Sequence, residues 1–180
     1  MRYFFRRHIP YPTRILLIES GSRGLIEACL RTLHGMWGAN LEIDLVTCYA
    51  VTPAGFAGRT FNVNDYGGAA GRNRLLADLL AREYTIAGIL CSAEPIMTKW
   101  KWWLGAKLPT KIFVINENAD IFWLDWGHAG VIRQFIADRA GLTGPGAVVS
   151  LARLLFFPVT LGYLLLYAGY VHLRRRLRLL

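Results

Sequence analysis

Five short apolar runs constrain this chain more than any other feature: RILLIE (14–19), LEIDLVTCY (41–49), the weaker TFNV (60–63), IAGILC (86–91) and KIFVIN (111–116). Several are continuous rather than alternating, the pattern of strands buried on both faces of a parallel sheet. Helix-like stretches lie between and after them, at about 24–34, 72–83, 95–107 and 130–140. In the second of these, Leu75, Leu76, Leu79 and Leu80 recur at helical spacing while Arg72, Arg74, Asp78 and Arg82 take the other side. The order predicts an α/β fold with a doubly wound, mainly parallel five-stranded sheet. The 180 residues hold one such domain and an appended segment, not two catalytic domains.

Charge distribution narrows the partners. The formal charge is +9, from 21 Lys and Arg against 12 Asp and Glu. Arg2, Arg6, Arg7 and Arg14 lie at the start, and Arg153, Arg174, Arg175, Arg176 and Arg178 at the end, with no acid near either group. Residues 15–150 are therefore balanced. A neutral domain with basic ends fits an anionic membrane surface and argues against nucleic acid as a partner. Cys29, Cys48 and Cys91 are widely spaced in apolar contexts and read as reduced core residues; His8, His34, His128 and His172 are scattered. No metal site and no cofactor are expected from them. The start, MRYFFRRHIPYPTR, has no long apolar core or small-residue cleavage site, so it is no secretory signal and the domain is expected in the cytoplasm.

In a doubly wound sheet, ligands bind beyond the carboxyl ends of the strands. The first strand is followed by Glu19-Ser-Gly-Ser-Arg-Gly24, the fourth by Ser92-Ala-Glu94-Pro95 and the fifth by Asn116-Glu-Asn-Ala-Asp120. Glu19, Glu94 and Glu117 are accordingly the candidate catalytic residues, with Ser20, Ser92, Asn116 and Asn118 as ligand contacts. Each has a plainer reading. Ser92 or Glu94 would cap a helix that has Pro95 at its first position. Glu19 would accept N–H groups of its own loop, although an acid at a strand end is otherwise expensive to bury. Asn116 would close a turn, but two amides around a carboxylate favour ligand contact. Gly21 with Arg23, and Gly68 with Arg72 in Gly67-Gly68-Ala-Ala-Gly71-Arg72, precede helices and suit phosphate; neither is GxGxxG or a Walker loop, and both also read as turns. No GxSxG elbow or evident Ser/Cys–His pair marks a nucleophile, and His128 reads as a general base or as a cap.

Two aromatic clusters, Lys99-Trp-Lys-Trp-Trp-Leu104 and Phe122-Trp-Leu-Asp-Trp126, suit the bilayer interface, base stacking or packing against the terminal helix; the neutral domain disfavours base stacking. Residues 154–171 are 18 uninterrupted apolar or weakly polar residues, near the roughly 20 that span a bilayer, followed by Arg174-Arg-Arg-Leu-Arg178. The positive-inside rule keeps both basic ends cytoplasmic. A hairpin broken at Pro158 satisfies that and a simple C-terminal span does not; either tethers the domain to the membrane.

Ile18-Glu-Ser-Gly-Ser-Arg23, Cys91-Ser-Ala-Glu-Pro-Ile-Met-Thr-Lys-Trp-Lys101 and Val114-Ile-Asn-Glu-Asn-Ala-Asp-Ile-Phe-Trp-Leu-Asp125 resemble bacterial glycosyltransferase-like proteins, over about 14–140. The likeness is to one Rossmann-like half of a GT-B glycosyltransferase. Charge, hydropathy and the extent of this likeness together divide the chain into a basic arm (1–13), a Rossmann-like domain (14–143), a hydrophobic membrane segment (144–173) and a basic cytoplasmic tail (174–180). The likeness implies sugar transfer in envelope polysaccharide or glycolipid synthesis at the cytoplasmic face of the bacterial inner membrane. A membrane lipid or lipid-linked sugar would be the acceptor, a nucleotide sugar the donor, and a partner protein would supply the second half. Asp125, closing the third motif, joins the ligand-binding residues on this likeness. In that mechanism Glu19, Glu94 or Glu117 takes the acceptor hydroxyl proton while Arg23 or Arg72 balances phosphate charge. A non-catalytic membrane adaptor is the alternative. Methyl transfer from S-adenosylmethionine is disfavoured, since Thr47-Cys48-Tyr49 lacks the acid expected for a ribose diol.

Overall fold

A computed structural model describes residues 8–92, 94–141 and 147–178. The chain divides into two compact units, Met1–Ile132 and Arg133–Leu180. The first unit runs β1 (Arg14–Ile18), α1 (Arg23–Trp37), β2 (Glu42–Thr47), β3 (Thr60–Asn62), α2 (Gly68–Leu80), β4 (Ile86–Cys91), α3 (Thr98–Lys107), β5 (Lys111–Asn116) and β6 (Ile121–Trp123). Helix α4 (Ala129–Arg139) bridges the two units in sequence, and α5 (Ala147–Arg178) completes the second.

The strands form one six-stranded sheet in the order β3-β2-β1-β4-β5-β6. All neighbours are parallel except β5 and β6, which pair antiparallel with Val114 opposite Phe122. This is a Rossmann-like α/β arrangement, and the strand order reverses between β1 and β4. β6 is a sixth strand that the apolar runs do not announce, because only three residues pair, from Ile121 into the second aromatic cluster. The weak TFNV run pairs through Asn62, and Val63 already begins a single 3₁₀ turn.

Continuous hydrophobicity is explained by cover on both faces. Ile15 and Leu17 of β1 join Ile26, Cys29, Leu30 and Leu33 of α1 in one buried cluster with Ile43, Leu45, Phe113 and Ile115. The opposite face receives α3: a Cβ at Gly105 would lie 3.2 Å from Ile89 and 3.5 Å from Ile112. Right-handed crossovers put α2 on that same face, because β3 to β4 and β4 to β5 both advance in one direction across the sheet. Gly88 in β4 is required by packing. A Cβ there would meet Phe113 at 2.4 Å and Leu17 at 2.7 Å.

Helix boundaries shift where loop chemistry prevails over periodicity. α1 extends to Trp37 and stops at Gly38, whose φ of +93° suits a residue without Cβ. α2 begins at Gly68 rather than 72, drawing the glycine-rich loop into its first turn. α3 begins only at Thr98, since residues 95–97 form a turn with Met97 in the left-handed region.

The second unit corrects one expectation. α5 is continuous through Pro158, so no hairpin forms there. The proline removes one backbone donor, yet the helix carries on, and Thr160 Oγ donates to the Phe156 carbonyl at 3.0 Å. Leu164, Leu165, Leu166 and Tyr167 are consecutive and all exposed, so the described part of α5 is apolar around its circumference. Among the described residues no helix is long and apolar enough to cross a membrane. Side chains at 154, 155 and 171 of the apolar run, those of the basic tail, the first seven residues of the basic arm and the start of the membrane segment at 144–146 lie outside the described residues.

Candidate functional site

The carboxyl ends of β1 and β4 are tied together by side chains that follow them. Glu19 extends the β1–β2 ladder, its N–H donating to the Val46 carbonyl at 2.8 Å. Ser20 Oγ donates to the Leu90 carbonyl at 2.7 Å and Ser92 Oγ donates to the Ser20 carbonyl at 3.0 Å. Gly21 makes that junction feasible: its φ is +146°, and a Cβ would lie 2.6 Å from Ser92 Oγ. The structure thus brings Glu19, Ser20, Gly21 and Ser92 together where the strand order reverses, the place in which such sheets hold ligands.

Glu19 is the chemically unusual member. It is fully buried. Its Oε1 accepts from Arg23 Nη1 at 3.2 Å, and its Oε2 has no hydrogen-bond partner among the described residues. Burial pushes its carboxyl above the ordinary range, partly offset by the Thr47 hydroxyl and the Arg23 guanidinium. A carboxyl so placed retains its proton to higher pH than an exposed glutamate and suits general acid–base exchange.

Arg23 is already engaged. Besides Glu19 it donates to the Val51 carbonyl at 2.5 Å, and its guanidinium lies 5.3 Å from the Tyr49 ring centre. Tyr49 in turn donates to the Gly21 carbonyl at 3.1 Å. Arg23 therefore secures the loop around Glu19 instead of standing free for phosphate. Burial chiefly raises the Tyr49 phenol, with smaller contributions from Cys48, Glu19 and Glu94. Glu94 itself is exposed. Thr47 and Tyr49 belong to the β2 end and were not identifiable as site residues by their own motif.

The Asn116-Glu117-Asn118 triplet builds the β5–β6 turn. Asn116 Oδ1 accepts from the N–H of Asn118 at 3.0 Å and of Asp120 at 2.9 Å, while its Nδ2 donates to the Asp120 carboxylate at 2.9 Å. This gives Asn116 a turn-closing role, and leaves Glu117 and Asn118 exposed on the tip.

Asp125 lies apart from the other candidates, because β6 runs antiparallel and returns the chain to the amino end of the sheet. There it pairs with Lys111 Nζ at 2.6 Å and with His128 Nδ1 at 2.8 Å. Burial alone would raise the Asp125 carboxyl, but Lys111 and His128 more than offset it and hold it below the ordinary carboxylate range. Lys111 and Asp125 are both buried, which gives the pair a place in the core. His128 is held by the same carboxylate. A second charged cluster at that end, Asp44 with Arg82 and Tyr84, is likewise internally satisfied.

Gly68 and Arg72 line a different carboxyl-end feature, a cleft of about 750 Å³ bordered by Asn64, Lys99, Trp100 and Trp103. Trp100 and Trp103 meet edge to face, with ring centres 5.8 Å apart. The second aromatic cluster contributes to the core instead: Phe122 is buried and Trp123 stacks edge to face on Phe113 at 5.7 Å. None of the three candidate glutamates lines this cleft or the 520 Å³ cleft at the amino end. Among the described residues no three His, Cys, Asp or Glu side chains converge as a metal site would require. Comparison with protein families, with curated proteins and with solved structures finds no match to the chain.

Proposed function

We propose that this chain is a membrane-tethered, glycosyltransferase-like protein that handles a lipid-linked sugar in envelope polysaccharide or glycolipid synthesis. The observation that carries the reading is the fully buried Glu19, with one carboxyl oxygen lacking a partner, at the point where the strand order reverses. As general base, Glu19 takes the proton of an acceptor hydroxyl. The acceptor oxygen forms the new bond to the sugar's anomeric carbon, and the electron pair of the broken C–O bond leaves with the donor's phosphate. Glu19 has no exposed surface, so this reading requires the loop that Arg23 and Tyr49 hold to move aside for the acceptor. The circumferentially apolar stretch of α5 supports the tether, since such a surface is unfavourable in water. In this reading a partner protein supplies the second half of a GT-B enzyme.

The failure of Glu19, Glu94 and Glu117 to share a described cleft favours a second reading, a non-catalytic membrane adaptor. Mass spectrometry of molecules that copurify with the full chain from native membranes separates the two. A nucleotide sugar or polyprenyl-linked sugar that copurifies with the wild type supports transfer. A copurifying protein with no such ligand supports the adaptor.

A further inference from the structure

We infer that the cleft between α2 and α3 binds an amphiphilic phosphate, a phosphate or diphosphate ester whose adjoining group is apolar or planar. Its two cations come from different helices, Arg72 from α2 and Lys99 from α3. Both are exposed, and among the described residues neither makes an ion pair or a side-chain hydrogen bond. Among the described residues no carboxylate borders the cleft. Two cations beside one volume repel each other, and an anion between them relieves that repulsion and adds charge-assisted hydrogen bonds.

The remaining walls select among anions. Trp100 and Trp103 are half-buried and give one side an aromatic surface that bare phosphate would not use. Opposite them, Gly68 has a φ of +68°, and no atom lies within 4 Å of where its Cβ would stand, so peptide groups border open space. The Tyr66 hydroxyl is occupied by Asp78 and its ring by Arg74, leaving Tyr66 as wall rather than donor. About 750 Å³ lies within the roughly 300–1,000 Å³ typical of small-molecule sites. A lipid phosphate and a nucleotide share the required chemistry. The site stands on binding alone and needs no reaction at Glu19.

The test is isothermal titration of the full chain in non-ionic detergent with farnesyl phosphate, uridine diphosphate and inorganic pyrophosphate in turn. At least one of the two esters should bind, and Arg72→Ala or Lys99→Ala should weaken it about ten- to hundredfold, as expected for a lost charge-assisted hydrogen bond. Trp103→Ala should weaken the ester while leaving pyrophosphate unchanged, and Arg31→Ala, on the exposed side of α1, should change nothing. Binding of farnesyl phosphate alone identifies a lipid source; binding of uridine diphosphate alone identifies a nucleotide. The inference is overturned if neither ester binds, if binding ignores Arg72 and Lys99, or if pyrophosphate binds as tightly as the esters. Because Arg72 and Lys99 are exposed, circular dichroism of the variants should match the wild type. Glu19→Gln should leave this binding intact, so failure here and failure of the transfer reading are separate outcomes.

Discussion

Replacing Asp125 with Asn tests whether the Lys111–Asp125 pair holds the amino end of the sheet. Lys111 is 1% exposed and its ammonium lies 2.6 Å from Asp125 Oδ2. Removing the carboxylate leaves a buried cation beside a neutral amide, and breaking such a pair typically costs about 3–5 kcal/mol. Lys111→Met with Asp125→Leu removes both charges, and replacement of a whole buried pair by apolar groups is often near neutral. Urea unfolding of the full chain in non-ionic detergent, followed by tryptophan fluorescence, measures both. Asp125→Asn should lower stability by about 3–5 kcal/mol, with the double variant recovering most of the loss. The wild type should also lose stability in acid. The Asp125 carboxyl is depressed in the folded state, so its contribution is complete above the unfolded value of about 3.9 and disappears as pH falls through the folded one. A loss under about 1 kcal/mol for Asp125→Asn, or no recovery in the double variant, would refute a core role.

Three further outcomes follow from the same physics. Gly88→Ala should destabilise the first unit by about 1–3 kcal/mol in urea, since its Cβ would overlap Phe113 and Leu17; unchanged stability would show that this layer is loosely packed. Glu19 titrates with the opposite sign to Asp125. Its folded value is raised, so stability falls as pH rises from the unfolded value of about 4.3 through the folded one, and Glu19→Gln should flatten that decline in pH-dependent unfolding. Deleting residues 147–180 should move the remaining chain from the membrane pellet to the supernatant; retention in the pellet at high salt would place the anchor elsewhere.

The fold was legible in proportion to the length of its apolar runs. RILLIE, IAGILC and KIFVIN are long enough to declare strands buried on both faces, and the helices between them imply parallel order. β6 escaped because three residues carry little periodic signal, and because Asn116 closes a turn with the same amide chemistry that suggests ligand contact. Glu19 was visible as an acid at a strand end, but Thr47 reaches it from the end of β2 and Tyr49, just beyond, bonds the Gly21 carbonyl of its loop. The meeting of Arg72 with Lys99 and Trp103 depends on crossover handedness, which brings two helices to one face; no local spacing encodes it. At Pro158, the lost donor is a local break signal that the long apolar helix overrides.

The central claim is that Glu19 takes part in chemistry on a lipid-linked sugar, and envelope glycolipid profiles test it most directly. Cells carrying Glu19→Gln at normal protein abundance should lose the same product as cells lacking the chain, since loss of a general base typically lowers rate about 100-fold to 10,000-fold. Glu117→Gln, on the exposed turn, should leave the profile normal. A normal profile with Glu19→Gln, alongside a defect when the whole chain is removed, would contradict the claim and identify the protein as an adaptor.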